Sequence, residues 1–377
     1  MIVRPPKLTS LRLKAIESIW IKQQELSPTL NEPNRWIGTI RRAALNQVVH
    51  SSIAIEGFSP TINQVAELEL GLEPKLAPGI EAAISGYQDV MGFVLQLSRQ
   101  ELIRFDLSSL LAMHYMLLSP TKALHAGRLR RAEVFVYDQL DARVVHEGAN
   151  HLALPNLLDE LTDYLNTDDV DLVQAAMAHL NMVLIHPFQD GNGRLARVLH
   201  SLALAKQTKP TPIFLSIEEY LAKNTRAYFD TLSQVGGGHW NPKVDAGPWL
   251  DFVLNAHWLQ IHAHQQRSEE IARVWQEVAQ LAEVHGVPSR SVVALVELLR
   301  GLELKNSNYR ALVAGAGDPV SLLTASRDLA ELCELGLLVA VGQTKDRTYG
   351  PGKQLTALAG QIKLQSKSTP LPPLNLR

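Results

Sequence analysis

His186-Pro187-Phe188-Gln189-Asp190-Gly191-Asn192-Gly193-Arg194-Leu195-Ala196-Arg197 decides how this 377-residue chain is read. Ahead of it, Val173, Ala176, Met177, Leu180, Val183 and Leu184 recur at helical spacing and bury one face. Pro187 has no N–H and disfavours helical backbone in the residue before it, so that helix must stop at His186. After the turn, Leu195, Val198, Leu199 and Leu202 resume the same period. The stretch is a tight connection between two helices, with an imidazole at the end of the first and glycines just before the second.

Such a connection concentrates positive potential. A Gly-Asn-Gly turn aims successive N–H groups inward, and the free amides of the following helix add to them, making an anion nest. Arg194 and Arg197, three apart in the first turn, point to one side. The helix dipole disfavours cations there by roughly 0.3–1 kcal/mol each. Something anionic should compensate them, and phosphates meet that need. Asp190 is a carboxylate of the kind Mg²⁺ takes alongside phosphate oxygens, so the layout suits a nucleoside triphosphate. A plain helix connector with a lone histidine would need neither the acid nor both arginines.

Composition sets outer bounds. With 36 basic and 38 acidic residues the formal charge is −2, which argues against a chain built wholly to bind polyanions. The single cysteine, Cys333, excludes an internal disulfide framework and a cysteine-based zinc site, so a reducing compartment is the simplest inference. Met1-Ile2-Val3-Arg4-Pro5-Pro6-Lys7 lacks the apolar core of a signal peptide, and no apolar run approaches the ~18 residues of a membrane span. The expectation is a soluble, cytoplasmic protein without a membrane partner.

The central stretch resembles the signature of the Fic family, His-x-Phe-x-(Asp/Glu)-Gly-Asn-Gly-Arg-x-x-Arg, and agrees with it at every defined position. The resemblance implies a mainly α fold, a Fic-type helical bundle with a β-hairpin flap. It implies an enzyme that transfers AMP from ATP to a hydroxyl of a target protein and releases pyrophosphate. His186 would be the general base and Asp190 the Mg²⁺ ligand. Asn192 and the amides of Gly191 and Gly193 would hold the α- and β-phosphates. Arg194 would grip the γ-phosphate, Arg197 would stabilise charge at the β-phosphate, and Phe188 would anchor the loop in the core. The intact Gly191-Asn192-Gly193-Arg194 favours ATP over the donor of the kinase-like Doc branch.

Upstream, periodic segments predict helices over 11–30, broken at Asn31-Glu32-Pro33-Asn34, and from Arg35 to Gly57. The second ends in Ser52-Ile53-Ala54-Ile55-Glu56-Gly57, which resembles the (Ser/Thr)-x-x-x-Glu-(Gly/Asn) pattern of Fic proteins restrained by an N-terminal helix. That likeness implies a pair between Glu56 and Arg194 that blocks the γ-phosphate site. In some relatives the glutamate also positions water to remove AMP. Further helices are expected at 61–70, 80–100, 106–118 with Asp106 or Ser108 as cap, and 157–165. Val134–Tyr137 and Arg143–His146, around a turn at 138–141, read as a hairpin. By resemblance it is the flap near 131–150 that docks the target by strand addition.

Ile217–Leu232 reads as one helix, whose Asn224 and Tyr228 resemble residues that lie near the nucleotide base, although helix packing accounts for them equally. Gly236-Gly237-Gly238 makes a flexible break expected by the adenine end. His257, His262 and His264, on a helix over 246–266, are spaced by five and two and do not make a metal set; they read as solvated or core histidines. The chain thus divides into an N-terminal helical region carrying the inhibitory helix (1–100), a catalytic core (101–266), a helical linker (267–284), a winged-helix-like unit (285–360) and a proline-bearing disordered tail (361–377). The fourth resembles the module that many Fic proteins append. Eight basic and seven acidic side chains over 285–360 leave it near neutral, so DNA is a weak candidate partner and protein contact at least as good a one. A homodimer is expected from the relatives. The alternatives are a DNA- or protein-binding regulator with a residual catalytic unit, or a Fic transferase using another phosphate-bearing donor.

Overall fold

The computed structural model describes residues 1–31, 36–121, 125–137, 143–206, 212–343, 347–365 and 371–376. The chain is mainly helical. In order come α1 (Ser10–Asn31), α2 (Ile37–Ile55), α3 (Ile62–Glu69), α4 (Ile80–Arg99), α5 (Leu107–Leu118), β1 (Phe135–Tyr137), β2 (Val144–Glu147), α6 (Leu154–Leu165), α7 (Asp171–Ile185) and α8 (Asn192–Ala205). There follow α9 (Glu218–Lys223), α10 (Thr225–Gly236), α11 (Gly247–Val284), α12 (Val292–Leu299), α13 (Asn306–Gly315), α14 (Leu322–Glu334), β3 (Leu338–Val341), β4 (Thr348–Pro351) and α15 (Lys353–Gln365). The expected flap turn at 138–141, most of the break after Asn31, the basic turn at Lys345 and the proline at Pro370 lie outside the described residues.

Local chemistry explains the helix starts. Thr61 Oγ1 accepts from the Gln64 amide at 3.2 Å while Gln64 Oε1 accepts from the Thr61 amide at 2.8 Å, a reciprocal cap for α3. Asp106 caps α5 through the Ser109 amide at 2.7 Å. Where α4 crosses α5, Gly86 sits directly against the Leu117 carbonyl, and only a residue without a side chain fits that approach.

One apolar cluster runs from Ile2 to Ile271 and a second from Val274 to Leu355. Residues 1–100 therefore share a core with the catalytic segment, and α2 lies against α8 and α9. Ile2 and Val3 belong to that core, clipped to α7 because Val3 donates to Asn181 Oδ1 at 2.9 Å and accepts from Asn181 Nδ2 at 3.0 Å. The second cluster gathers α12, α13, α14 and the antiparallel β3–β4 pair, with Leu338 opposite Pro351. It meets the first around Trp36, which packs on both, and through Arg42 with Glu297 (3.4 Å) and Asn63 with the Gly301 carbonyl (2.5 Å).

The structure corrects three boundaries. The single helix expected over 217–232 breaks at Asn224 (φ −123°, ψ 36°) into α9 and α10. The two helices expected on either side of Arg267 are one, α11, and Arg267 is held by Glu219 of α9 at 2.7 Å. The tail expected to be disordered is ordered in part: α15 reaches Gln365, and further on the Leu374 amide donates to Asn255 Oδ1 at 3.0 Å and Trp258 Nε1 to the Pro372 carbonyl at 3.3 Å.

Candidate active site

His186 ends α7 in the left-handed region (φ 54°, ψ 59°), a conformation that costs a residue with a side chain roughly 1–2 kcal/mol. Its amide still closes the helix onto Met182 at 3.2 Å, and its ring Nδ1 lies 3.1 Å from the Val183 carbonyl. A carbonyl can only accept, so Nδ1 carries the proton and Nε2 is left with the lone pair. Burial pushes the imidazole pKa down to about 4, so the ring is neutral at ordinary pH and able to take a proton. The expected base is thus half-buried, in one tautomer, at the mouth of the helix.

The loop that follows is built on itself. Phe188 is fully buried and stacks on His114 of α5, with ring centroids 3.7 Å apart and an 11° interplanar angle, which fits the anchoring role expected for it. The Asn192 side chain accepts from the Phe188 amide and donates to the Phe188 carbonyl, both at 2.9 Å. The Asn192 side chain thus staples the turn. Gly191 (φ 79°) starts α8, a backbone only glycine adopts without strain. Asp190 keeps its side chain 68% exposed, with Oδ1 on the Gly191 amide at 2.6 Å and Oδ2 on Arg194 Nη2 at 3.0 Å.

The two arginines are deeply buried, and an acid from α2 meets them. Glu56 Oε1 accepts from Arg197 Nη2 at 2.7 Å, and Glu56 Oε2 lies 3.8 Å from Arg194 Nε. The sequence likeness named Arg194 as the partner. The short contact is instead to Arg197, with Arg194 held chiefly by Asp190. Ser52, to which the sequence reading gave no task, accepts from Arg197 Nε at 2.7 Å through Oγ and from Nη2 at 3.2 Å through its carbonyl. Both defined ends of the Ser-x-x-x-Glu pattern thus close on one guanidinium. Burial opposes the charge of Arg197, but Glu56, with Tyr228 and Tyr87, more than offsets it and holds the group protonated. Arg194 Nε, also buried, has no hydrogen-bond partner. A side chain at Gly193 would start 3.1 Å from Glu56 Oε1 and 3.3 Å from Arg197 Nη1, so glycine keeps this space open.

Two residues that sequence reasoning missed hold the loop from outside. His114 Nδ1 accepts from the Gly127 amide at 2.9 Å, which leaves Nε2 protonated to donate to the Asp190 carbonyl at 2.9 Å. Arg130 donates from Nε to the His186 carbonyl at 2.7 Å. Nothing in their local sequence sets them apart, since their partners are 56 to 76 residues away.

β1 and β2 form the expected hairpin beside the motif, with Val136 opposite His146 and Phe135, Tyr137 and Val144 exposed. Of the glycines at 236–238, Gly237 ends α10, and the Gly238 carbonyl accepts from the Glu147 amide of β2 at 2.9 Å. Asn224 and Tyr228 both bond within the protein. Tyr228 is buried with its hydroxyl 2.9 Å from His179 Nε2, and Asn224 donates to the Tyr220 carbonyl at 2.9 Å. Of the three α11 histidines, His257 and His264 are core residues and His262 Nδ1 donates to the Trp258 carbonyl at 2.7 Å. No cluster of potential metal-ligating side chains is found among the described residues, nor a helix long and apolar enough to cross a membrane.

Comparison with known proteins agrees with this geometry. Residues 104–204 match the profile described as "Fic/DOC family". The chain is 26% identical over 259 residues to a protein adenylyltransferase Fic of Nematostella vectensis, covering 66% of this chain and 55% of that one. It is 30% identical over 207 residues to the protein adenylyltransferase fic-1 of Caenorhabditis elegans, covering 52% and 37%. It thus spans about half the length of the curated relatives it matches. Among solved structures, a Fic family protein from Desulfovibrio desulfuricans G20 superposes with a TM-score of 0.56 at 20% identity over 93% of this chain and 98% of that one. A fragment of Fic-1 from C. elegans gives 0.56 at 22% over 68% and 72%. With the motif, its helix–turn–helix frame and the flap all in the matched region, residues 104–204 of this chain are a Fic domain.

Proposed function

We propose that this protein transfers AMP from ATP to a hydroxyl of a target protein and that Glu56 restrains it. The observation that carries the reading is the Glu56 carboxylate itself: an anionic oxygen already sits against Arg197, beside Arg194 and over Gly193, where a phosphate oxygen would lie. His186 Nε2 takes the proton of the target hydroxyl, the freed oxygen bonds to the α-phosphorus, and the bond from that phosphorus to the bridging oxygen of the β-phosphate breaks to release pyrophosphate. The amides at the start of α8 and the two guanidinium groups carry the charge that builds on the phosphates. Mg²⁺ fits the exposed carboxylate of Asp190, whose Oδ2 would exchange Arg194 for the ion, and its contribution would be to neutralise phosphate charge.

Glu56 then competes with the triphosphate for the arginines, and it is the acid available to orient water when AMP is removed from a modified target. The target is expected at the exposed side of β1–β2. The order of α12–α14 and β3–β4 supports a winged-helix-like reading of the C-terminal unit. Its near-neutral balance favours protein over DNA as its contact. The test is labelled ATP with magnesium and a lysate. Glu56→Gly is expected to raise labelling about 10-fold or more, the worth of a hydrogen bond to a charged group. His186→Ala is expected to lower it about 10²–10⁴-fold. Equal labelling by the wild type and Glu56→Gly would overturn the restraint.

A further inference from the structure

The last carbonyls of a helix lack partners within it, and at the end of α7 each finds a donor from outside. Met182 takes the His186 amide, Val183 takes His186 Nδ1, and Leu184 takes His146 Nε2 of β2 at 2.8 Å. Ile185 takes the Ala149 amide at 3.1 Å and Arg130 Nη2 at 3.4 Å. His186 takes Arg130 Nε at 2.7 Å, and Pro187 takes the Arg130 amide at 3.0 Å. Arg130 thus serves three consecutive carbonyls, Ile185, His186 and Pro187, across the residue whose backbone is left-handed.

Its other bonds run to the base of the flap, Nη1 to the Ala132 carbonyl at 2.7 Å and Nη2 to that of Ala149. The guanidinium is 1% exposed, and the one carboxylate near it is Glu133 at 3.6 Å. Surface charge pairing does not account for such a placement. A buried cation at a helix C-terminus, aimed at carbonyls, does: the negative end of the helix dipole and the carbonyl oxygens replace its water.

We propose that Arg130 is a positioning residue for the AMP-transfer reaction, holding the His186 backbone left-handed so that Nδ1 stays on Val183 and Nε2 faces the target hydroxyl. The inference rests on the reading of His186 as the base. Without Arg130, the His186 carbonyl is unpaired and the backbone is free to relax to an ordinary conformation that turns the ring. The other charged or titratable groups facing that ring, Glu56 of α2 and His146 of β2, bond to neither its amide nor its carbonyl. They cannot take over the task.

The test compares Arg130→Gln and Arg130→Lys in the unrestrained Glu56→Gly background, with folding checked by circular dichroism. Tautomer is read from ¹⁵N shifts of labelled histidine, the His186 signals being identified by their loss in His186→Ala. The expected result for Arg130→Gln is a mixed tautomer at His186 and a kcat down about 10- to 100-fold with the KM for ATP within about 2-fold. Arg130→Lys, able to keep one bond to a carbonyl, should recover part of both. An unchanged tautomer in folded Arg130→Gln, or a KM that rises as much as kcat falls, would overturn the proposal. Should Arg130→Gln not fold, Arg130→Lys alone decides: kcat must fall without KM, and an unaltered kcat sinks the idea. The nuclear magnetic resonance readout needs no catalysis, so a wild type with no AMP transfer would defeat the functional reading while leaving the positioning role testable.

Discussion

Glu56 shows what a family likeness can and cannot say about a single side chain. The resemblance of the stretch ending in Glu56-Gly57 implied an acid beside a motif arginine, and the structure has it against both. It could not rank the two, since a difference of about an ångström between Arg197 at 2.7 Å and Arg194 at 3.8 Å depends on how α2 is seated. The pairing carries a thermodynamic consequence. Removing Glu56 leaves the buried Arg197 guanidinium without its carboxylate, and breaking a buried pair costs about 3–5 kcal/mol. Glu56→Gly should melt below the wild type in the absence of nucleotide, by a few degrees in differential scanning calorimetry, and addition of ATP with magnesium should narrow the gap. Asn192 makes a related point: an amide four residues after Phe188 is placed to staple the turn, a task the motif pattern did not announce.

Among the elements, the motif pair α7–α8 was legible because two residues with special backbones, Pro187 and Gly191, fix its ends. Other boundaries carried no such mark. The break at Asn224 has neither glycine nor proline beside it, and the polar run Gln265-Gln266-Arg267-Ser268-Glu269-Glu270 looked like a seam although polarity without a breaker does not stop a helix. Glu219 explains why α11 continues there: despite its burial, the Arg267 charge draws its pKa down to about 2, and Gln260 adds a bond at 2.9 Å. The crossing of α4 and α5 is the sharpest steric statement in the fold. Gly86→Ala would set a methyl group on the Leu117 carbonyl, and the helices would have to part. The expected cost is about 1–3 kcal/mol or more, seen as a lower urea midpoint, whereas Gly92→Ala, with open space around it, should be neutral or stabilising.

At the level of the whole molecule, burial holds several histidines uncharged. Burial pushes His186, His200 and His264 each down to about 4, and holds His179 and His257 well below the ordinary imidazole range. In the unfolded chain these rings bind protons near pH 6.5, so between about 6.5 and 4 the unfolded state holds more protons and stability rises with pH. Acidification through that window should therefore destabilise the protein, by up to about 1.4 kcal/mol per pH unit for each such ring. Glu219 extends the loss, since its stabilisation is present above about 4.5 and fades toward 2. Chemical denaturation at pH 7, 6 and 5 checks this, and a flat profile would contradict it. For His257 and His264 the spacing along α11 left solvated and core positions both open, and burial decides for the core.

Glu56, proposed above to restrain transfer, caps the end of α2, ahead of the Fic domain in the same chain. A ribosome working at about 5–20 residues per second finishes that helix on the order of ten seconds before the arginines that it meets. Whenever the cradle first closes, the carboxylate is already within the molecule. On the proposed reading, a newly made copy carries its own restraint from the moment it folds.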